Sequence, residues 1–163
     1  MIIVNENDEV IGSMNRKDDD GKNICRVAAL WIENSKGEVL LAQRSFNKTF
    51  DPGKWGPAVA GTVEVGETYE SNIIKEAEEE IGLNLKDYKF EKLQKVKVNE
   101  PHNYFGQWYK AIVDKDLAEF RIDPIEVEQI RWFSPEELRN EIENEPDKFT
   151  ITTANFAKLQ LQG

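Results

Sequence analysis

Glu76, Glu79 and Glu80 are spaced i, i+3 and i+4 in the run Lys75-Glu76-Ala77-Glu78-Glu79-Glu80-Ile81-Gly82-Leu83. On an α-helix of about 3.6 residues per turn those spacings place all three carboxylates on one strip, whereas Glu78 points elsewhere and reads as solvated. Like charges at this separation repel, at a cost of roughly 0.2–0.5 kcal/mol per pair. A divalent cation among them reverses that sign. Carboxylate oxygens are hard ligands suited to Mg2+ or Mn2+, ions that keep several waters and bind through one or two carboxylates together with substrate phosphates. Just upstream, Gly61 and Gly66 permit close backbone approach, which makes the Gly61 carbonyl a further candidate ligand. A Glu-rich run alone is more often a solvated face than a metal site, so the reading depends on what surrounds it.

A strip of carboxylates needs a helix beneath it. Ile73, Ile74, Ala77 and Ile81 form an apolar stripe at helical period, Thr68 is placed to cap the start, and Gly82 stands where a left-handed residue ends a helix, so a helix is expected over residues 68–81. Before it, residues 1–23 read as a hairpin around Asn5-Glu6-Asn7-Asp8 followed by a polar loop. Ile24 to Glu33 and Glu38 to Arg44 read as adjacent antiparallel strands across the turn Asn34-Ser35-Lys36-Gly37. A loop is expected from Ser45 to Gly56 and a short strand from Pro57 to Val63. After the helix come strand candidates at residues 90–98, 104–113 and 127–133, then Ser134-Pro135-Glu136-Glu137, which supplies an N-cap, an N1 proline and a capping-box glutamate for a helix to about Glu145. A short terminal helix is expected at residues 153–161. Strands interleaved with helices point to an α/β (α+β) fold with a mixed sheet.

Composition bounds the remaining choices. The chain has 163 residues, with 31 acidic against 21 basic side chains and a formal charge of -10. That length suits one domain with a buried core, and four tryptophans and eight phenylalanines argue against disorder. The acidic balance disfavours nucleic-acid duplexes and anionic membranes as partners. It is compatible with a polyphosphate ligand if a bound cation neutralises it. Cys25 is the only cysteine, so no internal disulfide forms, and no window approaches the ~18 consecutive apolar residues of a membrane span; a cytoplasmic location is expected.

The segment from Gly61 to Leu83 resembles the Nudix box, whose pattern runs Gly, five residues, Glu, seven residues, Arg-Glu-aliphatic-any-Glu-Glu-any-Gly-aliphatic. Gly61, Glu67, Glu76, Ala77, Glu79, Glu80, Gly82 and Leu83 all fall in register. One position departs: Lys75 stands where the family has Arg. In the family that Arg pairs with the earlier glutamate, here Glu67, and a lysine keeps the charge but loses the two-pronged geometry. The resemblance implies a Nudix-type α/β/α sandwich, formed by a single domain with residues 24–145 as its core, 1–23 as an extension and 146–163 as a terminal segment. It implies hydrolysis of a diphosphate linkage in a nucleoside di- or triphosphate or related derivative, by a chain acting alone or as a homodimer.

The same resemblance implies Mg2+, with Mn2+ as substitute, held by Gly61, Glu76, Glu79, Glu80 and a glutamate just before the Trp132 strand, Glu126 rather than Glu128. Glu76 and Glu79 are the candidate catalytic carboxylates, and Glu67 and Lys75 the site's support. Arg44, at the end of a strand, and Lys54 are candidate phosphate contacts, although Lys48 and Lys54 are more ordinarily surface charges. Trp55, Phe105, Trp108 and Tyr109 are available to stack on a base but more often such residues are core. His102 reads as an exposed loop residue and Cys25 as packing. The N-terminal hairpin, Arg44-Ser45 and Pro52-Gly53-Lys54-Trp55 also resemble isopentenyl diphosphate isomerases within the same family. Those enzymes use a cysteine and a histidine where this chain has Ala60 and Thr62. A non-catalytic nucleotide-binding module is the other alternative.

Overall fold

A computed structural model describes residues 1–162. Nine strands form one mixed sheet: β1 (Ile2–Val4), β2 (Val10–Ser13), β3 (Ile24–Glu33), β4 (Val39–Arg44), β5 (Trp55–Pro57), β6 (Val59–Thr62), β7 (Phe90–Val98), β8 (Tyr104–Ile112) and β9 (Val127–Phe133). Three helices, α1 (Tyr69–Ile81), α2 (Pro135–Asn144) and α3 (Ile151–Gln160), complete the fold.

β3 organises the sheet because its sequence is apolar on both faces. Ala28, Leu30 and Ile32 alternate into a core with Ile73, Ala77 and Ile81 of α1. Ala29 and Trp31 enter a second core with Leu138 and Ile142 of α2 and Phe156 and Ala157 of α3. A period-2 strand buried on both faces therefore dictates a layer of helix on either side, the expected α/β/α sandwich. One edge of β3 pairs in parallel with β8 along Cys25–Glu33; the other pairs antiparallel with β6 at Val27–Leu30 and with β4 only at Ile32 and Glu33. β4 then diverges, carrying β5 and β9 antiparallel on its two edges.

That divergence corrects the single strand expected over residues 57–63. The chain breaks at Ala58 into β5, bonded to β4, and β6, bonded to β3, so one segment crosses the gap between the two halves of the sheet. The loop after Arg44 accordingly ends at Lys54. The last helix begins at Ile151, two residues earlier than expected, with Thr150 as its cap, whose side chain accepts from Thr153 N. α1 is bounded as the sequence predicts: the Thr68 side chain accepts from Ser71 N, and at Gly82 (φ 67°) the turn closes with Gly82 N donating to Glu78 O and Leu83 N to Ala77 O. Among the described residues no helix is long and apolar enough to cross a membrane.

Candidate functional site

Where β4 parts from β3, a crevice opens that is lined by Gln43, Arg44, Val59, Ala60, Glu80 and Glu126 among others. α1 packs beneath β6 and brings Glu80 to the crevice wall, with Glu76 beside it against Gly61. The Glu80 side chain is nearly fully buried, and its Oε2 accepts one hydrogen bond, 3.3 Å from Ala60 N. Burial, followed by the negative charges of Glu76 and Glu126, pushes its carboxyl well above the ordinary glutamate value. Glu76 is half-buried, and burial likewise raises it, with Glu79 and Glu67 adding to the shift and Lys75 opposing it. Gly61 makes this approach feasible: a Cβ there would lie 2.4 Å from Glu76 Cγ and 2.7 Å from its Cδ, so only a glycine fits against the helix.

The loop entering α1 is held by a second set of contacts. Glu67 accepts from Glu64 N at 3.0 Å and Asn72 Nδ2 at 2.9 Å through one oxygen, and from Lys75 Nζ at 2.5 Å through the other. Burial works against its ionisation, but these three donors outweigh it and hold the carboxyl below its usual range. Lys75 also lies 3.5 Å from Glu76 Oε1. The lysine at the family's arginine position thus reaches both carboxylates through a single nitrogen. Asn72 is fully buried; its Nδ2 also donates to Thr62 O at 3.0 Å, which fixes the amide's orientation. Its Oδ1, 3.0 Å from the point a Gly61 Cβ would fill, is the one buried side-chain polar atom without a partner among the described residues.

Glu76, Glu79 and Glu80 lie on α1 at the expected spacing but are unequally covered. At about 100° per residue, Glu80 lies roughly 40° to the core side of Glu76 and Glu79 roughly 60° to the other, so the strip is too wide to be covered by β6 alone. Glu80 is buried, Glu76 half-buried and Glu79 exposed. Among the described residues no group of three acidic, histidine or cysteine side chains is gathered closely enough to cage a metal. The donor chemistry nevertheless fits a hard divalent cation. Two desolvated carboxylates resist ionisation without one, and an orphaned amide oxygen faces the same space.

The other sequence candidates disperse. Glu126 sits in the turn before β9, borders the crevice with Glu80, and meets Lys48 Nζ at 2.5 Å; Glu128 is exposed. Arg44 lines the crevice and its Nε donates to Phe50 O at 2.9 Å. Lys54 lies outside the lining and pairs with Asp51 at 3.8 Å. Lys48 is therefore the ammonium beside the carboxylates, a contact spanning 78 positions that no local pattern announces. Trp55, Trp108 and Tyr109 are core, and Trp108 stacks on Phe156 at 3.7 Å; Phe105 is half-buried beneath Lys97. His102 packs edge-on against Phe50 at 4.2 Å rather than standing free. Cys25 is half-buried on β3, where burial raises its thiol.

Comparison with known proteins gives a consistent picture. The NUDIX domain family model matches residues 23–153. An uncharacterized Nudix hydrolase of Pseudomonas aeruginosa, PA4841, is 28% identical over 134 residues, spanning 82% of this chain and 77% of the relative. A prenyl-diphosphate phosphatase of Methanosarcina mazei is 30% identical over 132 residues, spanning 80% and 75%. Among solved structures, DR0079 from Deinococcus radiodurans aligns with a TM-score of 0.85 at 25% identity, covering 97% of this chain and 96% of that one. With the box in register, its glutamates on α1 and its first glycine against Glu76, this chain belongs to the Nudix hydrolase family.

Proposed function

We propose that the protein is an Mg2+- or Mn2+-dependent pyrophosphohydrolase that cleaves a diphosphate linkage in a nucleoside di- or triphosphate or a related nucleotide derivative. The observation that carries the reading is the burial of Glu80 against Ala60 at the wall of a crevice that Arg44 borders, with Glu76 half-buried beside it against Gly61. When bound, the metal neutralises phosphate charge and lowers the pKa of a water. Glu80, Glu126 and the Gly61 backbone would hold it, with Glu79 at the exposed margin. Glu76, whose proton affinity burial raises, is the group suited to take the proton of the attacking water. Arg44 keeps its guanidinium at the crevice, where it can contact a phosphate. Glu67, Lys75 and Asn72 lock the loop that joins β6, with its Gly61, to α1, so the carboxylates are positioned before substrate arrives.

A second substrate class, a prenyl diphosphate, is favoured by one feature. The rings suited to stack on a base, Trp55, Trp108 and Tyr109, are buried, whereas Phe46 and Phe50 on the loop after Arg44 are exposed and suit an apolar tail. The Methanosarcina mazei relative named above adds support. Isomerase chemistry is disfavoured, because Ala60 and Thr62 leave β6 without a thiol or imidazole.

Turnover of nucleoside di- and triphosphates, nucleotide sugars and prenyl diphosphates, followed as phosphate released from the products by coupled pyrophosphatase and phosphatase, with and without Mg2+, tests both readings. Glu80→Gln is expected to lower kcat by at least about a hundredfold, in line with removal of a major electrostatic group. Unchanged turnover in that variant sinks the metal-site reading, and nucleotide binding without any turnover marks a binding module.

A further inference from the structure

We infer that Lys48 is a built-in counter-ion of the crevice carboxylates, whose ion pair with Glu126 competes with a divalent cation for that carboxylate. The inference rests on the reading of the crevice as a cation site and adds a residue that governs its occupancy.

Two carboxylates from two elements line the crevice, Glu80 from α1 and Glu126 from the turn before β9, with Glu76 one helical turn before Glu80. Glu76 and Glu126 both act on Glu80 as like charges, and Lys48 is the cation that offsets them there. The contact with Glu126 Oε2, at 2.5 Å, is the ion pair that holds the Lys48 ammonium. By contrast Lys75, the ammonium on the other flank, is shared between Glu67 and Glu76 inside the locked loop. Lys48 thus has one carboxylate partner to give up where Lys75 has two.

The local backbone is arranged so that the side chain can leave without unseating the loop. Ser45 is buried, its N donates to Glu126 O at 3.1 Å, and its own carbonyl accepts from Lys48 N at 3.1 Å. That anchor ties residues 45–48 to the turn carrying Glu126 through main-chain bonds alone. The Lys48 and Glu126 side chains retain 26% and 37% of their exposure, so water can replace the pair. A dication bound at Glu126, on either oxygen, brings two like charges close to the Lys48 ammonium and repels it. Metal binding and the Lys48–Glu126 pair must then oppose each other, and by linkage the lysine weakens metal affinity to the degree that the metal weakens the pair.

The test compares the full-length wild type with Lys48→Met and Lys48→Arg by calorimetric titration with Mn2+ at fixed ionic strength, and by thermal melts with and without saturating Mn2+. Lys48→Met is expected to bind Mn2+ about tenfold more tightly than wild type, and Lys48→Arg within about twofold of it. Lys48→Met should melt earlier than wild type without metal and no earlier with it. Equal or weaker Mn2+ affinity in Lys48→Met overturns the inference alone, as does a melting deficit that metal leaves unchanged. Absence of Mn2+ binding to the wild type overturns the cation-site reading and the inference together.

Discussion

A carboxylate as buried as Glu80, with one long hydrogen bond and two like charges around it, makes the metal-free protein less stable the more fully it ionises. Its proton affinity is raised in the folded state, so the folded chain holds a proton that the unfolded chain has released. Stability must therefore fall as pH rises from the ordinary glutamate value through Glu80's raised one, and it is fully present below that window. Glu80→Gln keeps the shape and removes the ionisation. In chelator, its melting temperature should exceed that of wild type at neutral pH and should lose most of this pH slope; an unchanged slope between pH 5 and 8 would show that the site is not strained by charge. Gly61→Ala probes the same wall from the opposite side. A methyl 2.4 Å from Glu76 Cγ must displace the carboxylate or β6, at a cost of about 1–3 kcal/mol measured by denaturant unfolding, together with weakened Mn2+ binding. Both residues were legible in the sequence, because the box spacing names them. Their unequal burial was not, since spacing along a helix gives angles but not which neighbour covers which angle.

At the scale of elements, α1 was legible because three independent local signals agree on it: the apolar stripe, the Thr68 cap and the Gly82 stop. The break at Ala58 was not, because β5 and β6 read as one apolar run until their different partners are known. The β1–β2 hairpin shows the same limit. Its turn was visible, but not that Asp8, at φ 60°, places its carboxylate between Arg26, Lys95 and Tyr69, whose donors lie 2.7, 2.5 and 2.9 Å away. Arg26 and Lys95 also flank the Tyr69 ring, at 5.2 and 5.0 Å from its centre. Burial works against ionising Asp8, but those three donors outweigh it and keep its carboxyl below the ordinary value. The hairpin is thereby pinned to β3, β7 and the first turn of α1. Asp8→Asn tolerates the left-handed backbone and removes the charge, so it isolates the pin. A loss of about 1.5–3 kcal/mol in unfolding free energy is expected, from hydrogen bonds to a charged group left unpaired. The wild type should show the matching acid sensitivity: stability from Asp8 is present above the ordinary aspartate value and disappears as pH falls through its depressed one.

Across the whole molecule, the two faces of β3 divide the labour. The α1 face carries the box helix and the crevice wall, while the opposite face is closed by α2 and α3 around Trp31. The family match ends at residue 153, inside α3, yet Phe156 and Ala157 beyond it are as buried as any core residue. Phe156 stacks on Trp108 at 3.7 Å and meets Trp31 edge-on at 5.4 Å, joining the last helix to the two central parallel strands. Within the stretch read from sequence as a terminal segment, residues 146–163, α3 thus supplies a structural layer, and only long-range packing reveals it. The same helix is capped by Thr150, which borders the crevice and donates from its backbone to Trp55 O at 2.9 Å, so α3 also supports the far wall of the candidate site. Truncating the ring separates these two duties. Phe156→Ala should cost about 3–5 kcal/mol, as large-to-small changes in aromatic cores do. For a chain of this size that corresponds to a melting temperature lower by roughly 10 °C. Because Thr150 and Trp55 keep their own bond, Mn2+ affinity of the folded variant should stay within about twofold of wild type, an additive result for distant sites. A parallel loss of metal affinity would instead mean that the α3 layer sets the geometry of the carboxylates through the sheet, and that the two faces act as one unit.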